Sequence, residues 1–265
     1  MDLAELVGLA DRVAREAGAL LRDRPVHLKV TSKTTPTDAV TEMDAASERL
    51  IIDRILAARP GDRIVGEESG KHDGRDDDAV TWLVDPIDGT VNYLYDLPQF
   101  SVSIAAQISG ESVAGVVYDV MRDEMYAATR SGGATRNGEQ LHCTQQTDLG
   151  LSLVATGFAY AAEARRAQAD VLATVLPAVR DIRRLGSAAL DLCAVAAGRV
   201  DGYYEAGMHP WDWAAGALIA TEAGAQVGGL NGRPPGAWTT LAANPVLFGE
   251  LERLLLEAGV SSEMS

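Results

Sequence analysis

The chain has 265 residues, 47% of them hydrophobic, which is enough to bury the core of one domain or of two closely packed halves. The formal net charge of -15 argues against nucleic acid as a partner, because binding to a phosphate backbone needs clustered Lys and Arg. The acidic N-terminus and the lack of an apolar run of about 20 residues predict no leader and no membrane segment, and therefore a cytoplasmic protein.

The first part of the chain is predicted to hold two helices followed by strands. Apolar residues recur at helical spacing in two segments, and Pro60-Gly61 ends the second. Alternating, β-branched segments then predict an antiparallel meander with a hairpin turn at Asn137-Gly138. A charged loop is expected over 70–78. The predicted helices are 3–21 and 41–58, and the predicted strands are 27–31, 63–69, 82–84, 101–104, 112–118 and 124–128.

The second part of the chain alternates strands with helices. The strands are predicted at 153–156, 182–185, 202–205 and 240–243, and the helices at 161–176, 188–197, 211–223 and 245–258. Such layers, with a mostly antiparallel first sheet, predict an α+β layered sandwich. We expect a single unit over 1–265 with a weak boundary near 145–150. It separates a metal-binding α+β half, 1–147, from an α/β half, 148–265.

The most informative segment is 82–93, which reads Trp-Leu-Val-Asp-Pro-Ile-Asp-Gly-Thr-Val-Asn-Tyr. An apolar strand ends in Asp85 and Asp88, in a turn that Pro86 stiffens and that Gly89 leaves open to a ligand. Carboxylate oxygens of this kind suit Mg²⁺ or Mn²⁺ rather than zinc or copper. The sequence therefore predicts a divalent-cation site at the end of this strand.

Further carboxylates stand at the ends of other predicted elements, namely Glu67 and Glu68 after a strand and Asp212 at the start of a helix. Carboxylates on separate elements are what a two-metal phosphatase site requires. Each motif alone has a structural alternative. The Asp85 segment could be an ordinary Asp-Pro turn, Glu67 and Glu68 could be a solvated strand end, and Asp212 could be a carboxylate favoured at a helix N-terminus. The combination favours the metal site.

These motifs resemble the inositol monophosphatase family of magnesium-dependent, lithium-sensitive sugar and polyol phosphatases. The matching residues lie in family order across 3–256, at Asp44, 66–69, 82–93 and 207–224. The resemblance implies a layered αβαβα sandwich of the inositol monophosphatase and fructose-1,6-bisphosphatase type. It also implies two or three Mg²⁺ ions, with Mn²⁺ as a possible replacement, and a homodimer.

The resemblance implies a ligand set as well. Glu67, Asp85 and the carbonyl of Ile87 would bind one Mg²⁺, and Asp85, Asp88 and Asp212 a second, with a third, weaker ion beside Glu67. Asp85 would bridge the first two ions.

The remaining roles are implied in the same way. Thr90 would orient or deprotonate the attacking water, with Asp44 behind it, and the backbone amides of Gly89 and Thr90 would hold the phosphate at a helix N-terminus. Lys33 would lie on a loop that closes over the site, although a solvated loop lysine is an equal alternative. The substrate-binding set implied is Asp88, Gly89, Thr90, Gly186, Ser187, Ala188, Glu205 and Asp212, and the catalytic set is Thr90, Asp44 and Glu67.

Two other phosphatase chemistries are disfavoured by the residues present. Pro86 stands where a haloacid-dehalogenase-like phosphatase carries its nucleophilic aspartate. Cys193 and Arg199 have the spacing of a cysteine phosphatase, but Cys193 falls in an apolar helix where its pKa would not be lowered. His209 is expected to shape a turn rather than to act in catalysis.

The sequence thus predicts a magnesium-dependent phosphomonoesterase that acts on a small polyol monophosphate, inositol 1-phosphate first, by direct attack of metal-activated water. The alternatives at the same site are histidinol phosphate, a sugar bisphosphate and an adenosine bisphosphate, since a carboxylate at Glu205 suits a hydroxyl or an ammonium group. A regulatory binding subunit is the non-enzymatic alternative, because a fold does not fix a function.

Overall fold

The computed structural model describes residues 2–32, 35, 37–74 and 79–260. Within them the α-helices are α1 (Leu3–Arg22), α2 (Glu42–Ala58), α3 (Thr90–Leu94), α4 (Ala162–Val175), α5 (Ala188–Ala196), α6 (Pro210–Glu222) and α7 (Pro245–Glu257). Short 3-10 helices lie at Leu149–Leu151, Leu176–Ala178 and Leu230–Gly232.

The strands of the first part of the chain are β1 (Val30–Ser32), β2 (Ala39–Thr41), β3 (Arg63–Gly66), β4 (Gly70–His72), β5 (Thr81–Asp88), β6 (Ser101–Ile108), β7 (Glu111–Asp119), β8 (Glu124–Thr129), β9 (Gly133–Arg136) and β10 (Glu139–Gln140). The strands of the second part are β11 (Leu153–Thr156), β12 (Asp181–Arg183), β13 (Gly202–Glu205), β14 (Gln226–Gly228) and β15 (Thr240–Ala243).

Two sheets make up the body of the fold, and β1 and β2 form a separate small hairpin. The larger sheet has the order β10-β9-β8-β7-β6-β5-β3-β4, and its strands are antiparallel except for the parallel pair β3 and β5. The smaller sheet has the order β12-β11-β13-β15-β14, with parallel pairing of β11 to both β12 and β13. The expected antiparallel meander is therefore confirmed.

The helices form three layers around these two sheets. Helices α1 and α2 pack on one face of the larger sheet, α5 and α6 lie between the sheets, and α7 covers the outer face of the smaller sheet, with α4 against α7. The resulting order is helix, sheet, helix, sheet, helix. The predicted αβαβα sandwich is confirmed.

The central layer is mostly apolar because both of its helices are covered from both directions, although α5 also buries Asp191. In α5 every residue from Ala189 to Ala196 is buried. Small residues allow close approach in α6: a Cβ on Gly115 of β7 would lie 3.1 Å from Ala215 Cα, and one on Gly216 would lie 2.8 Å from Leu192 Cβ. The close packing of α5 on α6 fixes the two helix N-termini that border the site.

Most predicted element bounds agree with the structure to within one or two residues, but some were wrong. The strand predicted at 82–84 extends over Thr81–Asp88, so both aspartates belong to it. The strand predicted at 27–31 is Val30–Ser32, and the loop predicted at 70–78 begins with Gly70–His72 as strand β4. The strands predicted at 63–69 and 101–104 are Arg63–Gly66 and Ser101–Ile108, and strands β2 and β14 were not predicted.

The errors at β1, β2 and β4 share one physical cause, which is that short polar strands owe their pairing to distant neighbours rather than to an apolar pattern. No described helix is long and apolar enough to cross a membrane. The division into halves at 147 and 148 stays a prediction.

We expect Gly216→Ala to destabilise the fold, although alanine is normally favoured over glycine in a helix. The added methyl group would crowd Leu192 and lie 3.2 Å from the carbonyl oxygen of Ala189, so about 1–3 kcal/mol should be lost. Gly249→Ala in α7 is the matched control: a Cβ there meets nothing within 4 Å, so the helix should gain up to about 1 kcal/mol. Urea unfolding measures both, and equal stability of Gly216→Ala and wild type would contradict the packing of the central layer.

Candidate active site

A cavity of about 560 Å³ opens where β5, α5 and α6 meet. It is lined by every described member of the predicted metal and substrate sets: Glu67, Asp85, Ile87, Asp88, Gly89, Thr90, Gly186, Ser187, Ala188, Glu205 and Asp212. Asp44 lies behind the lining, and Lys33 lies outside the described residues. The structure therefore brings together residues that are as much as 145 positions apart, from Glu67 to Asp212.

A β-bulge turns Asp85 and Asp88 to the same side of the sheet. Residues three apart in a regular strand point to opposite faces. Here Asp85 pairs with Ser103 and Asp88 with Ser101, so three steps on β5 match two steps on β6. Because Ser101 and Ser103 share a face, the two aspartates share it too. The bulge, rather than a turn after the strand, produces the carboxylate pair.

Glu67 is placed by a buried carboxylate of α2. Its backbone N–H donates to the carbonyl of Val84 at 3.2 Å, which continues the pairing of β3 with β5. Beyond it, Glu48 accepts hydrogen bonds from the backbone N–H of Glu68 at 2.9 Å and from the Ser69 hydroxyl at 2.7 Å. A Cβ at Gly66 would lie 1.6 Å from Glu48 Oε1, so only glycine leaves room for this carboxylate.

Asp44 holds the Thr90 hydroxyl in place. It is fully buried and closes a capping box at the start of α2 by accepting from the backbone N–H of Thr41 at 2.8 Å. Its other oxygen lies 2.9 Å from Thr90 Oγ1, which is also 3.0 Å from the carbonyl oxygen of Ile87. When the hydroxyl donates to Asp44, its lone pairs are free to accept a hydrogen bond from the cavity side.

Asp212 is oriented by the first turn of α6. Its carboxylate accepts from the backbone N–H of His209 at 2.7 Å, and the His209 ring stacks on Trp211 with centroids 4.9 Å apart. The Ser103 hydroxyl donates to the carbonyl of Trp211 at 3.2 Å. The residue opposite Asp85 on β6 thus also fixes the helix that carries Asp212.

Asp88 is held by the N-terminal turn of α5. Its carboxylate accepts from the Ser187 hydroxyl at 2.5 Å and from the backbone N–H of Ala189 at 2.7 Å, with Ala188 N–H at 3.3 Å. The segment 186–188, predicted for its substrate contacts, therefore also positions a predicted metal ligand.

Burial and like charge raise the pKa values of the acidic groups. Burial raises the pKa of Asp85 well above its usual range, and the charges of Glu67, Asp88 and Asp212 raise it further. Burial raises the pKa of Asp88 to about 6, although the hydrogen bonds from Ser187 and from the Ala189 and Ala188 amides lower it. Burial and the Glu67 charge likewise raise the pKa of Asp212. A cation in the cavity would relieve this shared repulsion.

The donor set fits a hard divalent cation. Close approach of the Glu67 side chain, by its charge and by a side-chain hydrogen bond, adds to the effect of burial in raising the pKa of Asp85 and so favours a proton there. A metal ion is the natural replacement for that proton. As they stand, no three His, Cys, Asp or Glu side chains in the described part of the chain are arranged to hold a metal ion. Ligation would therefore need the carboxylates to draw together around the cation.

Glu205 lies at the end of β13, on another part of the cavity wall. It accepts from the Tyr203 hydroxyl at 2.9 Å, and a Cβ at Gly157 would lie 2.0 Å from its carboxyl carbon. Burial raises the pKa of Glu205 to about 7, while the hydrogen bond from Tyr203 lowers it. Near neutral pH this group is therefore present in both protonation states.

Sequence reasoning missed several residues that shape the site. Ser47 donates to the carbonyl of Pro86 at 3.2 Å, and together with Asp44 and Glu48 it makes one polar, buried stripe on α2. The available signal was that these residues share the helical face of Ile51 and Ile55, where apolar side chains are expected. Arg184, which lines the cavity, gave no such signal.

The disfavoured cysteine chemistry is excluded by position. Cys193 is fully buried in α5, and burial raises the pKa of its thiol well above the usual value. A thiol of this kind supplies no thiolate for attack.

Comparison with known proteins gives consistent matches along the whole chain. The model of the inositol monophosphatase family matches residues 2–261. The chain is 46% identical to the inositol-1-monophosphatase SuhB of Mycobacterium tuberculosis over 267 residues, covering 94% of this chain and 92% of that protein. It is 43% identical to the Nus factor SuhB of Escherichia coli over 231 residues, covering 86% of each.

Solved structures of proteins with related names also match this chain. The extragenic suppressor protein SuhB of Bartonella henselae superposes with a TM-score of 0.90 at 35% identity, covering 95% of this chain and 98% of that one. An inositol monophosphate-bound structure of SaIMPase-II gives a TM-score of 0.79 at 30% identity, covering 96% and 94%.

We expect the ionisation of Glu205 to destabilise the metal-free protein. Its folded pKa, about 7, is raised above the usual value, so its stabilising contribution is complete below about pH 4.5 and is lost as the pH rises through 7. Between pH 5 and pH 8, in the presence of a chelator, wild type should lose on the order of 2 kcal/mol more unfolding free energy than Glu205→Gln. Urea titrations at the two pH values measure this difference.

The matched control is Glu139→Gln, because Glu139 is an exposed glutamate on β10 with 82% of its side chain accessible. The unfolding free energy of Glu139→Gln should change between the two pH values by the same amount as that of wild type. Equal pH dependence of wild type and Glu205→Gln would contradict the environment described for Glu205.

Proposed function

Because the chain belongs to the inositol monophosphatase family and is therefore a phosphoric monoester hydrolase, we propose that it releases phosphate from a small polyol monophosphate, with inositol 1-phosphate as the leading substrate. One observation carries this proposal: Glu67, Asp85, Asp88 and Asp212 converge on a single cavity beside the Thr90 hydroxyl. A volume of about 560 Å³ is also suitable for a phosphorylated ring of this size.

Mg²⁺ is the proposed cofactor, as two or three ions, with Mn²⁺ as a substitute. Glu67, Asp85 and the Ile87 carbonyl would hold one ion, Asp85, Asp88 and Asp212 a second, and a third would sit beside Glu67. All of these donors are oxygens, which is the preference of hard cations. When bound, the ions supply positive charge for the phosphate and lower the pKa of a water molecule.

The Thr90 hydroxyl is the proposed positioning group for the attacking water. By donating to Asp44 it keeps its own hydrogen away from the cavity, so Thr90 Oγ1 accepts a hydrogen bond from the water and turns the water's lone pair toward phosphorus. Asp44 is itself anchored to Thr41 and does not rotate freely. The capping box of α2 thereby sets the direction of attack.

The other substrate contacts follow the shape of the cavity. The amides of Gly89 and Thr90 stand at the start of α3, where N–H groups have no partner within the helix, and are proposed to bind phosphate oxygens. Gly89 has a φ of 99°, and a Cβ there would lie 2.9 Å from the carbonyl oxygen of Gln99, so glycine is required. Glu205 and the segment 186–188 are proposed to contact the alcohol.

Two further family properties belong to the same proposal, namely lithium sensitivity and a homodimer. A cytoplasmic location and the lack of a nucleic acid partner, both predicted from the sequence, are also part of it. The alternatives are histidinol phosphate, a sugar bisphosphate or an adenosine bisphosphate at the same site. Similarity to a protein named Nus factor favours a second candidate, a binding role beside the enzymatic one. A catalytically inactive variant that still binds its partner would show that the binding role is independent of the enzymatic one.

Phosphate release from a substrate panel, with and without Mg²⁺, tests the proposal. Inositol 1-phosphate should give the highest kcat/KM, and a chelator should abolish the reaction. Asp85→Asn should lower kcat/KM by about 10³-fold or more at saturating Mg²⁺, since the shared ligand of both proposed ions is lost. Wild-type activity in Asp85→Asn, or activity without a divalent cation, would refute the two-metal site.

We expect Thr90→Val to lower kcat by about 10²–10³-fold while changing KM little, because valine keeps the shape and removes the hydroxyl. Thr90→Ser, which restores the hydroxyl, should retain activity within about tenfold of wild type. Steady-state kinetics on inositol 1-phosphate measure both variants. Similar kcat values for Thr90→Val and Thr90→Ser would show that the hydroxyl does not position the water.

A further inference from the structure

Arg184 is a cation on the wall of an otherwise acidic cavity. It lies between β12 and α5 and lines the cavity two residues before Gly186. The carboxyl side chains that line the same cavity are those of Asp38, Glu67, Asp85, Asp88, Glu205 and Asp212. Among the described lining residues, Arg184 is the sole arginine or lysine. Its charge is therefore distinctive within the site.

Arg184 and Glu205 line the same cavity, and the guanidinium group of Arg184 lies over Gly186 of the proposed substrate-binding segment. A Cβ on Gly186 would lie 2.6 Å from Arg184 Nη1, so the side chain extends over this glycine. Burial raises the pKa values of Glu205 and Tyr160, both of which line the cavity, and the positive charge of Arg184 partly offsets each rise, as it does for the buried Asp191. Arg184 is thus within electrostatic reach of a molecule that contacts Glu205.

No structural partner accounts for this arginine. Among the described residues, its guanidinium makes no hydrogen bond or ion pair, and the side chain is exposed. Its neighbour Arg183 differs, because Arg183 Nη1 pairs with Asp181 at 2.6 Å and donates to the carbonyl of Ile182 at 2.8 Å. Two adjacent arginines therefore have different surroundings, and only Arg184 faces the proposed substrate cavity.

We propose that Arg184 makes kcat/KM depend on the charge of the leaving alcohol. It disfavours phosphate esters whose alcohol carries a positive charge and favours those whose alcohol is neutral or anionic. This inference rests on the proposed function, since it concerns the substrate of the same cavity. The four carboxylates of the proposed metal site would be neutralised by two divalent ions, which leaves Asp38, Glu205 and Arg184 as the other charged side chains of the lining. Glu205 alone would suit a hydroxyl or an ammonium group equally, and Arg184 removes that ambiguity.

The test compares kcat/KM for three phosphate esters that differ in the charge of the leaving alcohol: inositol 1-phosphate, histidinol phosphate and fructose 1,6-bisphosphate. Each value is measured for wild type, Arg184→Met and Arg184→Glu at saturating Mg²⁺. Relative to inositol 1-phosphate, Arg184→Met should raise kcat/KM for the cationic ester by about tenfold and lower it for the bisphosphate by a similar factor. Arg184→Glu should shift both ratios further in the same directions.

Arg183→Met is the matched control and should leave both ratios at wild-type values, because Arg183 is paired outside the cavity. Unchanged thermal unfolding of the Arg184 variants would show that they fold. Unchanged ratios in both Arg184 variants would overturn the inference while leaving the proposed function intact. A changed kcat/KM ratio for the bisphosphate but not for the cationic ester would also overturn the inference, because the charge of Arg184 must affect cationic and anionic alcohols in opposite directions. A wild-type protein that releases phosphate from none of the three esters would overturn both.

Discussion

The repulsion among four carboxylates in one buried site is the constraint on which the rest of the structure depends. Asp85 and Asp88 come from one strand, Glu67 from the end of its neighbour and Asp212 from a helix of the central layer. Burial and mutual repulsion raise the pKa values of three of them, so the site is costly without a cation. A fold can retain such a group only if the surrounding elements hold it rigidly, and here they do so with hydrogen bonds.

Some of the supporting hydrogen bonds come from two elements, α2 and β6, that do not themselves line the cavity. On helix α2, Asp44 accepts a hydrogen bond from Thr90, Ser47 donates one to the carbonyl of Pro86, and Glu48 accepts one from the turn after Glu67. Strand β6 supplies Ser103 to the first turn of α6. Such an outer layer restricts how far the carboxylates and Thr90 can move when a ligand arrives, which favours oriented attack on phosphorus. The outer helix layer thus supports the site as well as the core.

Much of the site could be predicted from sequence because its signals are local. The Asp-Pro-x-Asp-Gly-Thr segment, the strand end at Glu67 and the helix start at Asp212 carry their chemistry in adjacent residues. The bulge between Asp85 and Asp88 could not be predicted, since it depends on the register of β6, and β4 owes its pairing to β3. Glu48 did carry a local signal, its position on the buried face of α2, whereas Arg184 was missed because its surroundings are made of residues distant in sequence.

The central claim is that cations replace protons among these carboxylates. Calorimetric titration with Mg²⁺ at pH 6, in two buffers of different ionisation enthalpy, measures the protons released on binding. Because the pKa of Asp88 is about 6 and burial and the Glu67 charge raise the pKa of Asp85 well above its usual range, binding should release on the order of one proton per chain, and fewer as the pH rises. Mg²⁺ binding without proton release at pH 6, or equal binding by Asp85→Asn, would contradict the account.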